Sequence, residues 1–281
     1  MEERDNYAAV VVEPVERDSR GILHPGAGLE RFRLARVAPS RTVARFVDRY
    51  WLTSWSLPAG GRHEQVVLVH PVVNVVFGPA GATIGGVRRE RFTRELTGAG
   101  RVLGVMFRPA GFRPFLGGPM SALTDTAVPL STVFPGAAAL ERAVADALAG
   151  GVPDAEIVSL VDRALTAHLP AERQQSEDTT VWAERIATDR ELRRVDDVAR
   201  LAGLSVRGLQ RRFADHVGIG PKWMIRRYRL YEVAERAARH EVVDWAALAT
   251  ELGYADQAHL VRDFTAAVGE SPTRYAGRGP R

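Results

Sequence analysis

The chain has 281 residues, 46% hydrophobic and 26% charged, a globular composition that excludes global disorder and predicts two domains. No apolar run reaches the about 18 residues a membrane helix needs, and the charged N-terminal stretch lacks a secretory signal's apolar core. A cytoplasmic location with no membrane partner is therefore expected. Cysteine is absent, which excludes disulfides, zinc–thiolate sites, iron–sulfur clusters and cysteine nucleophiles.

Residues 1–30 carry scattered charge, Pro14, Pro25 and Gly26 with no sustained period, and read as a flexible arm. From about residue 41 onward the signals are those of strands. Gln65–Val69 and Val72–Phe77 are β-branched runs separated at Pro71, and Gly78–Gly81 closes the second. Ala82–Gly85, Arg91–Leu96 and Arg101–Phe107 follow at hairpin-like spacing. These runs predict a small sandwich or barrel over 31–135, with one short helix at Pro109–Leu116. At Gly136 the period changes, and Ala137–Ala149 and Asp154–His168 are predicted amphipathic helices. They form a connector over 136–169 that could pair two copies of the chain as a homodimer. The polar stretch Pro170–Thr180 has no apolar period and is predicted to be a linker.

Everything from 181 to 281 is helical in pattern, and it holds all the excess positive charge. It carries 18 Lys and Arg against 14 Asp and Glu, whereas residues 1–180 carry 20 of each. Lys222 is the single lysine, and arginine's planar fork suits phosphate and guanine. The stretch is also duplicated. Arg211–Phe213, Val217–Gly218 and Pro221 recur at identical spacing as Arg262–Phe264, Val268–Gly269 and Pro272. An alanine-bearing helix ending at Gly203 or Gly253 precedes each copy. Short helix, Gly turn, second helix is the helix-turn-helix pattern.

Leu209 and Phe213, four apart, face inward with Val198 and Ala199, and leave Arg207, Gln210 and Arg211 outward with Ser205 as the N-cap. In the second copy Leu260 and Phe264 face inward, leaving Gln257, His259 and Arg262 outward behind an Asp256 cap. Such side chains read guanine or adenine edges in a major groove. Between the copies a helix opens at Pro221 and carries Lys222, Arg226, Arg227 and Arg229, which with Arg212 form the candidate phosphate contacts. A fragment of residues 181–281 is expected to fold alone. A solvated arginine-bearing surface is the plainer reading of one such segment, but here the constellation occurs twice.

These motifs resemble the AraC/XylS family of bacterial transcription regulators over Arg194–Tyr275. The resemblance rests on Leu201–Ser205, Leu209–Phe213, Arg229–Ala234, Leu248–Tyr254 and Gly269–Pro272. It implies two helix-turn-helix units on a connecting helix, entering successive major grooves of double-stranded DNA. By it, Arg207, Gln210 and Arg211 and then Gln257, His259 and Arg262 occupy base-reading positions. The chain departs from the family at Leu260, often aromatic there, and at Asp263, often basic there. RNA polymerase is the further partner implied for an activator. The stretch His70–Leu130 looks like the N-terminal domain of one actinobacterial branch of such regulators, where a companion domain senses a small molecule or mediates dimerisation.

The overall expectation is an α+β protein, with a β-rich sensor-like domain, a helical connector and an all-α C-terminal domain. Trp51, Trp55, His63 and Arg108 are the candidate effector contacts, the tryptophans competing with a core role and Arg108 with a turn role. His63, Glu64 and His70 lack the closely spaced histidine pair of a cupin metal site, so no metal or other cofactor is expected. Catalysis finds no serine elbow, phosphate loop or zinc-protease motif, and an enzyme is not expected. The alternatives are a DNA-architectural protein without effector and a fused small-molecule enzyme.

Overall fold

The computed structural model describes residues 21–24, 28–239 and 243–277 of an α+β fold. Most of the arm expected over 1–30 lies outside the described residues. The part that is described does not hang free: Ile22 bridges Val67, and Leu23 is buried.

The N-terminal half is antiparallel. Strands β1 (Phe32–Val37), β2 (Val47–Ser56), β4 (Asn74–Gly78), β5 (Gly81–Gly85), β7 (Ala99–Phe107) and β8 (Ala127–Pro129) form one sheet in the order β1-β2-β7-β4-β5-β8. β3 (Arg62–Val67) pairs with β6 (Phe92–Thr97) in a separate ribbon. Strand β2, between β1 and β7, is not among the runs that predicted strands. Its residues Tyr50 and Leu52 are buried, whereas Asp48 is exposed and Arg49, Trp51 and Thr53 are half-buried, so apolar and polar positions alternate rather than run together. The short helix expected at 109–116 is reduced to α1 (Arg113–Leu116), because Ala110 adopts φ 64° and Gly111 N–H turns back to Arg108 O at 2.8 Å.

Helices α2 (Ala138–Ala149) and α3 (Asp154–Thr166) cover one face of the large sheet. Val144, Leu148, Ile157 and Val161 meet Tyr50, Leu52, Phe77, Val105 and Phe107 there in one core. Inside it, Asp162 accepts hydrogen bonds from Tyr50 Oη at 2.9 Å and from Ser40 N–H at 3.0 Å. Burial and the neighbouring carboxylate push the Tyr50 phenol well above its usual range.

The linker expected over 170–180 needs correction. Helix α4 (Gln175–Thr188) begins inside it, capped by reciprocal bonds between Gln174 and Glu177. The helix shows no apolar period at this end because its buried face is made of hydroxyls. Ser176, Thr179 and Thr180 are all buried, and Thr180 Oγ1 donates to Pro109 O at 2.5 Å. Arg45 ties the segment down from the other side, bonding Pro170 O, Glu172 O and the Glu177 carboxylate.

The C-terminal helices are α5 (Val195–Ala202), α6 (Val206–His216), α7 (Pro221–Ala238), α8 (Trp245–Glu251), α9 (Gln257–Val268) and α10 (Pro272–Ala276). Their two cores are not self-contained. Val87 and Ala110 pack with Leu209, Phe213 and Ile225 of the first unit, and Leu23 and Leu68 pack with Leu260, Phe264 and Tyr231 of the second. A fragment starting at 181 would therefore expose apolar surface in both units, which the expectation of an autonomous fragment did not include.

Candidate DNA interface

Each helix-turn-helix is set by local chemistry. In the first, Gly203 ends α5 in the left-handed region (φ 65°), a conformation glycine takes without strain. Ser205 Oγ then accepts from Gly208 N–H at 3.1 Å to start α6. A Cβ at Gly208 would sit 3.2 Å from that oxygen, so the glycine makes room for the cap. Leu209 and Phe213 are fully buried, and the same helical period leaves Arg207, Gln210 and Arg211 exposed. Arg212 is half-buried at the edge of this strip.

In the second unit Asp244 caps α8, accepting from Ala246 and Ala247 N–H, both at 3.0 Å. Gly253 (φ 70°) makes the turn, and Asp256 Oδ1 accepts from His259 N–H at 2.7 Å to start α9. Gln257 and Arg262 are exposed. His259 is half-exposed, its ring edge-on to Tyr254 at 5.2 Å and its Nε2 3.7 Å from Asp263. Burial pushes the Tyr254 phenol above its usual range. All six candidate base-reading side chains thus lie on the outer strips of the two second helices.

The connecting helix α7 requires two corrections to the candidate phosphate contacts. Arg227 is 3% exposed, donates to Arg89 O at 2.8 Å and stacks on Trp223 at 4.4 Å. Its position on the helix faces the N-terminal domain, so no phosphate can reach it. Arg229 is half-buried and donates to the carbonyls of Gly253 and Arg193, which uses its fork to hold the second turn against the segment before α5. Lys222 and Arg226 are exposed. Arg226, however, is bound through two nitrogens to Asp263, at 2.7 and 3.0 Å. The signal for this pair was in the repeat, since Asp263 stands where the first copy has Arg212.

The candidate effector contacts are scattered. Trp51 and Trp55 lie against the glycines of β7, where a Cβ at Gly104 or Gly100 would come within 1.9 or 2.3 Å of an indole ring. Trp51 Nε1 donates to Asn74 Oδ1 and Trp55 Nε1 to Thr97 O, both at 3.1 Å. His63 Nε2 lies 3.3 Å from Gln65 Oε1, while His70 packs on Tyr231 with ring centroids 5.0 Å apart. Among the described residues no group of three His, Cys, Asp or Glu side chains could hold a metal ion. Arg108 is not available as an effector clamp. It is bound to Glu184 of α4 at 2.7 and 2.5 Å and to Ala44 O at 3.2 Å, a strut between the two halves of the chain.

Residues 198–278 match a helix-turn-helix domain family, and residues 35–129, spanning most of β1 through β8, match a domain family of unknown function, DUF6597. No curated protein matches the chain. Among solved structures the chain has a faint likeness to ToxT of Vibrio cholerae. The O395 protein is 8% identical, covers 88% of this chain and 94% of its own, and gives a TM-score of 0.36. An apo ToxT variant from strain SCE256 is 10% identical over 98% of this chain and 99% of its own, with a TM-score of 0.37. The matched domain family, the duplicated motifs and the two capped, outward-facing recognition helices together make the C-terminal part a DNA-binding helix-turn-helix domain of the AraC/XylS type.

Proposed function

We propose that the regulator reads two successive major grooves. Arg207, Gln210 and Arg211 of α6 face one, and Gln257, His259 and Arg262 of α9 face the next, with Lys222 and Arg212 on phosphates. The observation that carries this is the exposure of the outer strips, with His259 half-exposed, while Leu209, Phe213, Leu260 and Phe264 beneath them are buried. Helix α7, about 27 Å long for its 18 residues, is long enough to hold the two units on neighbouring grooves about 34 Å apart. The β-rich domain, packed on both units, is proposed to pass a small-molecule signal to them.

The test is selection of a binding sequence from random DNA, followed by footprinting. Two protected major-groove segments about 10 base pairs apart are expected, and a single protected groove overturns the reading. Arg211→Ala is then expected to lose about 1–3 kcal/mol on the selected sequence and relax preference at one base position. An equal loss on random DNA would move Arg211 to the phosphates. A constitutive architectural protein would show no selected sequence at all.

A further inference from the structure

The N-terminal core holds a half-open cavity of about 170 Å³ between the large sheet and helices α2 and α3. Phe77, Phe107, Phe134 and Leu165 are among the residues that line it. Protein interiors rarely leave voids larger than a water molecule, so a space of this size exceeds ordinary packing slack. Its walls are mostly apolar, which gives water few partners inside. A dry apolar cavity of roughly this volume takes up a benzene-sized molecule. The cavity opens past the exposed residues Pro135, Gly136 and His168, so a ligand has a way in.

One polar side chain stands at the opening. His168 lines the cavity, and its ring is edge-on to Phe134 with centroids 5.3 Å apart. Its Nδ1 lies 2.8 Å from Ala164 O and donates to it, which leaves Nε2 of the neutral ring to accept a hydrogen from a ligand.

The cavity also lies on the route to the DNA-binding units. Its wall α3 ends at Thr166, only a few residues before the segment that Arg45 ties through Pro170 O and Glu172 O to α4. Helix α4 in turn packs Ala183 and Ile186 into the core under the first recognition helix. Movement of the end of α3 therefore has a short, packed path to α6.

We propose that this cavity is the effector site, and that its ligand is a single-ring, largely apolar molecule bearing one hydroxyl, of the phenol class. The ring fills the space between Phe77, Phe107 and Phe134, and the hydroxyl donates to His168 Nε2. The proposal rests on the reading of the β-rich domain as the sensor of a DNA-binding regulator.

The experiment uses the full chain with p-cresol, toluene and, as a polar ring, glucose. Calorimetric titration and thermal unfolding are expected to show saturable binding of p-cresol, weaker binding of toluene and none of glucose. Ala164→Phe, which fills the cavity from α3, should lower p-cresol affinity by about tenfold or more without lowering the unfolding temperature. Ala137→Leu does the same from the other wall should the first variant fold poorly. His168→Ala should narrow the preference for p-cresol over toluene. Absence of saturable binding, or binding untouched by both filling substitutions, overturns the site. Binding that the substitutions abolish, together with an operator affinity that p-cresol never changes, keeps the site and overturns its role as effector. Failure to select any DNA sequence, with or without p-cresol, counts against the regulator reading alone.

Discussion

Asp263 on the second recognition helix accepts two hydrogen bonds from Arg226 of the connecting helix, and the same carboxylate lies 3.7 Å from His259 Nε2. Its side chain is only 11% exposed, so the pair is less screened than a surface salt bridge. The first unit has Arg212 at the equivalent position. The two units thus differ in charge at one repeat position. The first presents added positive charge beside its reading strip, and the second uses an acid to pin its helix to α7.

Replacing Asp263 by Asn should release Arg226 toward the DNA backbone. The slope of log affinity against log salt is then expected to steepen by about one unit, with non-specific binding tightened more than specific binding. Titrations of selected and random DNA over a salt series check this. An unchanged slope would mean that Arg226 is out of reach of phosphate even when released.

Arg227 predicts the opposite pattern. Its guanidinium is buried against Trp223 and the Arg89 carbonyl, and burial lowers its affinity for a proton. Arg227→Met should leave the salt slope unchanged. It should destabilise the full chain by about 1–3 kcal/mol, because the Arg89 carbonyl loses its donor. Denaturant unfolding and salt titration on the same variant separate the two effects.

His216 makes stability pH-dependent. Its ring is buried beneath α4 with Nδ1 2.8 Å from Thr179 Oγ1, and burial lowers its pKa to about 4 against the opposing pull of Asp215. An unfolded histidine takes its proton near 6.5. Above that pH neither state is protonated and the full stability is present. As pH falls from about 6.5 toward 4 only the unfolded chain gains the proton, so stability drops, by about 2 kcal/mol at pH 5. His216→Asn should remove this component, which unfolding curves at pH 7.5 and pH 5 would reveal. A wild-type and variant difference that stays constant between the two pH values would rule it out.

Leu68 tests the dependence of the second unit on the β-rich domain. It is fully buried among C-terminal residues, and its carbonyl accepts from Tyr231 Oη at 3.0 Å. Leu68→Ala should cost about 2–4 kcal/mol. Hydrogen exchange is expected to speed up in α8 and α9 more than in α2 and α3. Uniform change across the chain, or none in α8 and α9, would show that the second unit is stable without this contact.

The amino-acid sequence alone determined the features that repeat at short range. Leu209 with Phe213 and Leu260 with Phe264 recur at helical spacing, so the buried stripe and its outward counterpart follow from the period alone. Ser205 and Asp256 stand three residues before the amides they cap, which is also local. What only the tertiary structure decided depends on residues far apart in the chain. Arg227 and Arg229 look like Arg226 in sequence, but Arg227 meets a carbonyl 138 positions away and Arg229 one 36 positions away. The start of α4 was illegible because its buried face is Ser176, Thr179 and Thr180, with the Thr179 hydroxyl paired to His216 and the Thr180 hydroxyl donating to Pro109 O and Ser176 O. Trp51 and Trp55 gave no hint of lying on Gly104 and Gly100, since cross-strand register brings those pairs together. Period and caps are properties of a few neighbouring residues, whereas the partner that buries a charge or hydroxyl is chosen only when distant segments pack.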